Sequence, residues 1–221
     1  FTAIPAGAAY AWSVTDANLC GPVSGTLAVT QPAAVTASAA VTTPILCNAG
    51  SATVTLTGGG GNAPLSYTFN GVTNGTGIFA GIPAGLAYPW SVTDVNLCGP
   101  VTGTLDVTEP AAINIAGLVT NASVLGGSDG AIDITVTGGT SPYSFLWTTI
   151  DGSGLIPANE DQAGLTKGTY NIVVTDDNGC NATDNFTVLE PVALTINAIL
   201  TDVKCNGGTD GSIQITILGG T

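Results

Sequence analysis

The sequence predicts an all-β chain: tandem immunoglobulin-like β-sandwich domains in a linear array. Three observations carry this expectation. The chain repeats itself at long range, every unit alternates apolar and polar residues with period two, and Gly or Pro clusters punctuate it at intervals of about 8–12 residues. Units of about 80 residues with six or seven short strands each match the size of such a sandwich.

The repeat fixes the elements in order. Phe1 to Ala34 returns as Phe79 to Ala112 with 26 of 34 positions identical, placing Trp90 and Cys98 each 78 residues after Trp12 and Cys20. A more divergent copy puts Tyr170, Asp176 and Cys180 where Tyr88, Asp94 and Cys98 stood, with the cysteines 82 residues apart. The front of a unit recurs too, since the segment around Gly127 matches the one around Gly208, 81 residues on. Strand patterning is plain in ATVTLT (52–57), AIDITVT (131–137), YNIVVTD (170–176) and SIQITIL (212–218). Gly-Gly pairs, Glu109-Pro110 and Glu190-Pro191 mark the joints. Residues 1–32 are therefore read as the C-terminal strands of a truncated repeat, 33–110 and 111–191 as Ig-like repeats, and 192–221 as the N-terminal hairpin of a further repeat. On this division the chain is expected to be a window on a longer array.

Composition narrows the function. Lys and Arg total 2, Asp and Glu total 15, and His is absent, for a net charge of -13. Such a chain cannot displace counterions from phosphates, so nucleic acid is excluded as a partner, and anionic membrane surfaces are disfavoured. No apolar run reaches the ~18 residues of a spanning helix, so no membrane insertion is expected. Without His the commonest general base is missing, and no nucleophile–base pair or metal cluster can be assembled, so the chain is not expected to be an enzyme. Trypsin has only Lys167 and Lys204 to cut at, so even partly unfolded protein is expected to resist it. A digest yielding many peptides from residues 1–166 would contradict this.

Several groups invite a chemical reading. Tyr67 with Phe69, Tyr143 with Phe145 and Trp147, and Tyr88 with Trp90 could form aromatic platforms for sugars, but the sandwich core accounts for them better. Thr53, Thr55 and Thr57 form a row that suits a crystal-binding face, yet also suits any solvent-facing strand. Asp16, Asp94, Asp176 and Asp177 recur at one turn and are weak candidates for calcium, the one cofactor considered, although no complete calcium loop is present. Asp and Asn before Gly are equally the residues of tight hairpin turns.

Val203-Lys-Cys-Asn-Gly-Gly-Thr-Asp-Gly-Ser212, Gly-Gly-Thr-Ser-Pro-Tyr143, Gly168-Thr-Tyr-Asn-Ile-Val-Val-Thr-Asp176, Asn178-Gly-Cys180 and the closing Glu190-Pro191 together resemble the SprB-type repeat. That family occurs in large cell-surface adhesins of gliding Bacteroidetes. The resemblance runs along the whole chain, with Val124 standing where the family has Cys. It implies export by the type IX secretion system and display on the cell surface as filaments that grip substrata during gliding motility.

The expected function is therefore an extracellular structural and adhesive array, a stalk or filament. Its partners would be neighbouring repeats of the same chain, other copies in lateral or end-to-end self-association, and surface or glycan substrata. The competing expectation is a set of carbohydrate- or crystal-binding sandwich modules of a secreted protein. Export makes disulfides available. Cys20, Cys98 and Cys180 fall in the turn between the last two strands of a unit, whereas Cys47 and Cys205 follow a first strand. Those turns lie at opposite ends of a sandwich, beyond the ~7 Å that a disulfide allows between Cα atoms. A head-to-tail array singles out Cys47 with Cys180; an atypical strand order would instead join Cys47 with Cys98.

Overall fold

A computed structural model describes residues 2–220, and all its strand pairing is antiparallel. The chain opens with a hairpin of β1 (Gly7–Val14) and β2 (Val23–Val29). Seven strands follow: β3 (Thr36–Thr43), β4 (Ala52–Gly59), β5 (Ser66–Phe69), β6 (Val72–Asn74), β7 (Ile78–Ile82), β8 (Gly85–Thr93) and β9 (Val101–Val107). They make two sheets, ordered β3-β4-β7 and β6-β5-β8-β9. A second sandwich uses β10 (Asn114–Thr120), β11 (Gly130–Thr137), β12 (Ser144–Thr149), β13 (Gln162–Leu165), β14 (Gly168–Thr175) and β15 (Asn181–Val188), in sheets β10-β11-β13 and β12-β14-β15. β16 (Thr195–Thr201) and β17 (Ser212–Leu218) close the chain as a hairpin. The immunoglobulin-like sandwich expected from the repeat is the fold observed.

The chain divides into two compact units, Phe1–Ile45 with Ala49–Glu109, and Leu46–Asn48 with Pro110–Thr221. The three residues Leu46–Asn48 lie inside the sequence stretch 33–110 but group with the second unit.

Period-two alternation becomes burial. In β4, Ala52, Val54 and Leu56 point inward, and in β14, Tyr170, Ile172 and Val174 do so. The first core joins Val54, Leu56 and Phe79 from one sheet to Phe69, Val92 and Val107 from the other. The second gathers Ile132, Ile134, Leu165, Trp147, Tyr170 and Val188. The aromatic residues considered as sugar platforms are thus largely core: Phe69 and Trp147 are buried, and Tyr67, Tyr88, Trp90, Tyr143 and Phe145 pack against them. On the opposite face of β4, the threonine row pairs hydroxyl to hydroxyl with β3. Thr55 meets Thr42 at 2.9 Å and Thr57 meets Ser38 at 2.7 Å, neutral cross-strand bonds where other proteins place charges.

The Gly-Gly pairs have a steric cause. Gly60, Gly138 and Gly219 all have positive φ, at 69°, 76° and 79°. A Cβ on them would strike the carbonyl oxygens of Ala34, Ala112 and Ala193, so only glycine lets the backbone approach. The second glycine of each pair then donates its N–H to Ala33, Ala111 or Val192, at 2.8, 2.8 and 3.1 Å. This closes the first hairpin of a repeat against the segment that follows its proline.

The terminal hairpins show what a facing sheet contributes. Ile213 and Ile215 are 68% and 59% exposed, while their repeat equivalents Ile132 and Ile134 are 0% and 4% exposed. The pattern is the same in both places; only the second has a sheet packed on it.

Candidate functional site: the cysteine turn and its carboxylate

The chemistry-bearing residues gather at one recurring turn, between the last two strands of each unit. In the second sandwich, Asp176 directly follows β14, and its Oδ1 accepts the amides of Asn178 (3.0 Å) and Cys180 (2.9 Å). Its Oδ2 accepts the amide of Thr140, just after the Gly-Gly pair, at 2.9 Å. Asp94 repeats this arrangement with Asn96 (3.0 Å), Cys98 (2.8 Å) and Asn62 (3.0 Å). Asp16 holds Asn18 and Cys20 at 3.0 and 2.9 Å. Each aspartate therefore shapes the loop that presents a cysteine.

The same contacts occupy two of the carboxylates singled out for calcium. Asp94 and Asp176 are almost fully buried, and both of their oxygens are engaged by backbone amides of their own unit. Asp177 stands exposed beside Asp176, and its amide donates to Thr140 O at 3.0 Å. Among the described residues, no group of three or more His, Cys, Asp or Glu is arranged to hold a metal. The recurrence of turn carboxylates has its cause in amide capping.

The amides also set the carboxyl pKa values. Asp94 is held below its ordinary value, first by the Asn62 amide and then by that of Cys98. At Asp176, burial pushes the carboxyl up most strongly, but the amides of Thr140, Cys180 and Asn178 together outweigh it and the net direction is down. Ser123 lowers Asp129, and the Gly126 amide lowers Glu190. Groups whose folded pKa is depressed contribute stability that is complete above the unfolded value and lost as pH falls through the folded one. Thermal stability is thus expected to hold down to the ordinary carboxylate values of 4.5 for Glu and 3.8 for Asp, and to fall progressively at lower pH. Melting curves from pH 7 to pH 2 check this; a midpoint that rises below pH 4 would contradict it.

Cys47, in the loop between β3 and β4, is bonded to Cys180, with an S–S distance of 1.94 Å and a Cα–Cα distance of 5.6 Å. Cys98, the alternative partner, is a free and exposed thiol, as are Cys20 and Cys205. Both bonded residues lie in the second unit, where polar contacts flank them. Asn178 Nδ2 donates to Leu46 O at 3.3 Å, and Asn48 Nδ2 donates to Pro110 O at 3.1 Å.

Some structural roles were not read from the sequence. Tyr170 sends its hydroxyl to Thr166 O (2.7 Å) and Ser153 O (3.0 Å), Tyr88 to Pro83 O (3.3 Å) and Tyr10 to Pro5 O (2.7 Å). This is the tyrosine corner of sandwich folds, and its signal was the recurrence of tyrosine at that place. The Glu of each Glu-Pro joint caps an amide in the first loop of its own unit: Glu109 accepts from Ala49 at 2.6 Å, and Glu190 from Gly126 at 2.7 Å. Buried Gln162, at the start of β13, clasps the backbone of Ile156 and Asn159 in the preceding loop, which has no repeat equivalent and left no signal.

Comparison with protein families matches the SprB repeat at residues 118–152 and 197–221. The chain is similar to SprB repeats over these two stretches. The matched stretches are the fronts of two units, from the first hairpin through β12 in one and across β16 and β17 in the other. The sequence has no significant match among curated proteins. Among solved structures, the three N-terminal domains of the outer capsid protein Hoc of bacteriophage RB49 are similar at 16% identity and TM-score 0.40, over 85% of this chain and 70% of that one. The N-terminal eight Ig domains of Down syndrome cell adhesion molecule give 14% identity and TM-score 0.42, over 83% of this chain and 28% of that one. The insect immune protein hemolin gives 17% identity and TM-score 0.33, over 82% and 56%. The chain thus spans about a quarter of the second and just over half of the third. The disulfide suits a location outside the cytoplasm.

Proposed function

We propose that this chain is part of an extracellular adhesive stalk, displayed on the cell surface and built from SprB repeats. The observation that carries the proposal is the disulfide Cys47–Cys180, formed between turns that belong to successive repeats in the sequence. Repeats that interact with their neighbours alone give an object whose length follows copy number. A covalent bond across a sequence separation of 133 resists the local opening that would weaken the chain under load. The finer expectations, type IX export and a role in gliding, rest on the family resemblance. Antibodies raised against the chain should label intact cells that produce it and reduce their attachment to a surface. Labelling that needs permeabilised cells would refute the surface location, and attachment unaffected at saturating antibody would refute the adhesive role.

One observation favours glycan binding as a second reading. An open depression of about 640 Å³ is lined by Tyr143, Phe145, Asn159, Glu160 and Asp161, combining aromatic faces with polar groups. A glycan array with this chain tests it: binding abolished by Asn159→Ala supports the module, and an empty array rejects it.

A further inference from the structure

The two complete sandwiches differ at one sheet edge. In the first, β5 has β8 on one side and the three-residue strand β6 on the other, where Tyr67, Thr68 and Phe69 pair with Asn74, Thr73 and Val72. In the second, β12 takes the place of β5. Phe145 sits opposite Val174 as Tyr67 sits opposite Val92, and Trp147 opposite Ile172 as Phe69 sits opposite Trp90. Yet β12 pairs with β14 alone, so it is an edge strand where its repeat equivalent is an inner one.

The free side of β12 is covered at one point, where Trp147 N donates to Pro157 O at 3.0 Å. The N–H of Trp147 therefore points away from β14. In an antiparallel pair that direction recurs at every second residue, and the N–H and C=O of one residue point the same way. Phe145 thus aims both backbone groups at the position that Asn74 holds beside Tyr67, and among the described residues neither has a hydrogen-bond partner. The open depression of about 640 Å³ lies against this edge, lined by Tyr143, Phe145, Asn159, Glu160 and Asp161.

The lining selects the occupant. Tyr143 and Phe145 are half-buried and offer ring faces, whereas Glu160 and Asp161 are exposed and acidic, and no cation stands among the lining residues. Asp161 is held in place by the Ile134 amide, which donates to its Oδ1 at 2.9 Å. An extended segment presents alternate side chains to one face, and a Lys or Arg there lays its stem on the rings and its charge beside the carboxylates. A second copy of this chain fits poorly, because it brings a net charge of -13 with only 2 lysines or arginines.

We propose that the β12 edge is a docking site for a short extended peptide of a basic partner protein, added as a strand where β6 stands in the first sandwich. Backbone pairing with Phe145 supplies the attachment, and Glu160 and Asp161 select Lys or Arg at alternate positions. This occupant excludes a glycan from the same depression, so one titration separates the two readings.

The isotope-labelled chain would be titrated with the capped peptide Thr-Lys-Val-Lys-Thr and followed by amide NMR shifts and hydrogen exchange. Shifts are expected at Phe145 and at Asn159, Glu160 and Asp161, with Tyr67 of the first sandwich unmoved. Exchange at the Phe145 amide should slow about tenfold when about nine-tenths of the protein is occupied. Glu160→Gln should weaken the peptide about twofold to fivefold, the worth of an exposed ion pair. Thr-Glu-Val-Glu-Thr and a backbone N-methylated form of the first peptide should not bind. Absence of shifts, shifts confined to other strand edges, equal binding of the N-methylated or the Glu peptide, or a neutral oligosaccharide that moves these amides where the Lys peptide does not would each overturn the proposal.

Discussion

Replacing Trp147 with alanine is expected to lower the stability of the second sandwich by about 3–5 kcal/mol, the usual cost of deleting a large buried aromatic. Trp147 is 1% exposed, packs among Ile132, Ile172 and Val174, and lies 6.0 Å from the Phe186 ring. Its indole N–H donates to Asn159 O and Glu160 O at 3.0 and 3.1 Å, so the substitution also releases the loop before β13. Domains of this size have about 5–15 kcal/mol in total, and the loss approaches unfolding. Trp147→Phe should recover much of it, since the first sandwich places Phe69 at the corresponding position. Urea titrations followed by circular dichroism measure the effect; a Trp147→Ala shift below about 1 kcal/mol, typical of a surface site, would contradict this packing.

Cys180→Ser is expected to cost about 2–4 kcal/mol, because the bond to Cys47 closes a loop with a sequence separation of 133 and restricts the unfolded chain accordingly. Cys98→Ser is the matched control: its thiol is free and exposed, and its removal should leave the denaturant midpoint unchanged. Equal midpoints for the oxidised and reduced proteins would contradict a stabilising bond.

Much of the architecture was legible because identical demands recur at fixed spacing. Alternation in Ala52, Val54 and Leu56 or in Tyr170, Ile172 and Val174 reports burial directly, since neighbouring strand residues face opposite sides. The Gly-Gly pairs announced a backbone constraint, although which carbonyl they abut could come only from the fold. The turn aspartates show the opposite case. Recurrence marked Asp94 and Asp176 as important, but sequence alone cannot distinguish a carboxylate waiting for a cation from one saturated by amides that include those of Asn62 and Thr140, distant along the chain and brought close by the fold. Exposure of Ile213, Ile215 and Ile217 was equally hidden, because their pattern matches that of buried β11. Gln162 and the loop from Ile150 to Asp161 had no counterpart against which to be read.

The central claim is that Cys47 is bonded to Cys180. Digestion of the non-reduced protein with pepsin, at a pH where thiols do not exchange, followed by mass spectrometry of the linked peptides, tests it most directly. The account predicts one cross-link joining the peptide with Cys47 to the peptide with Cys180, with Cys20, Cys98 and Cys205 reactive to alkylation beforehand. A Cys47–Cys98 cross-link would contradict both the pairing and the strand order on which it rests.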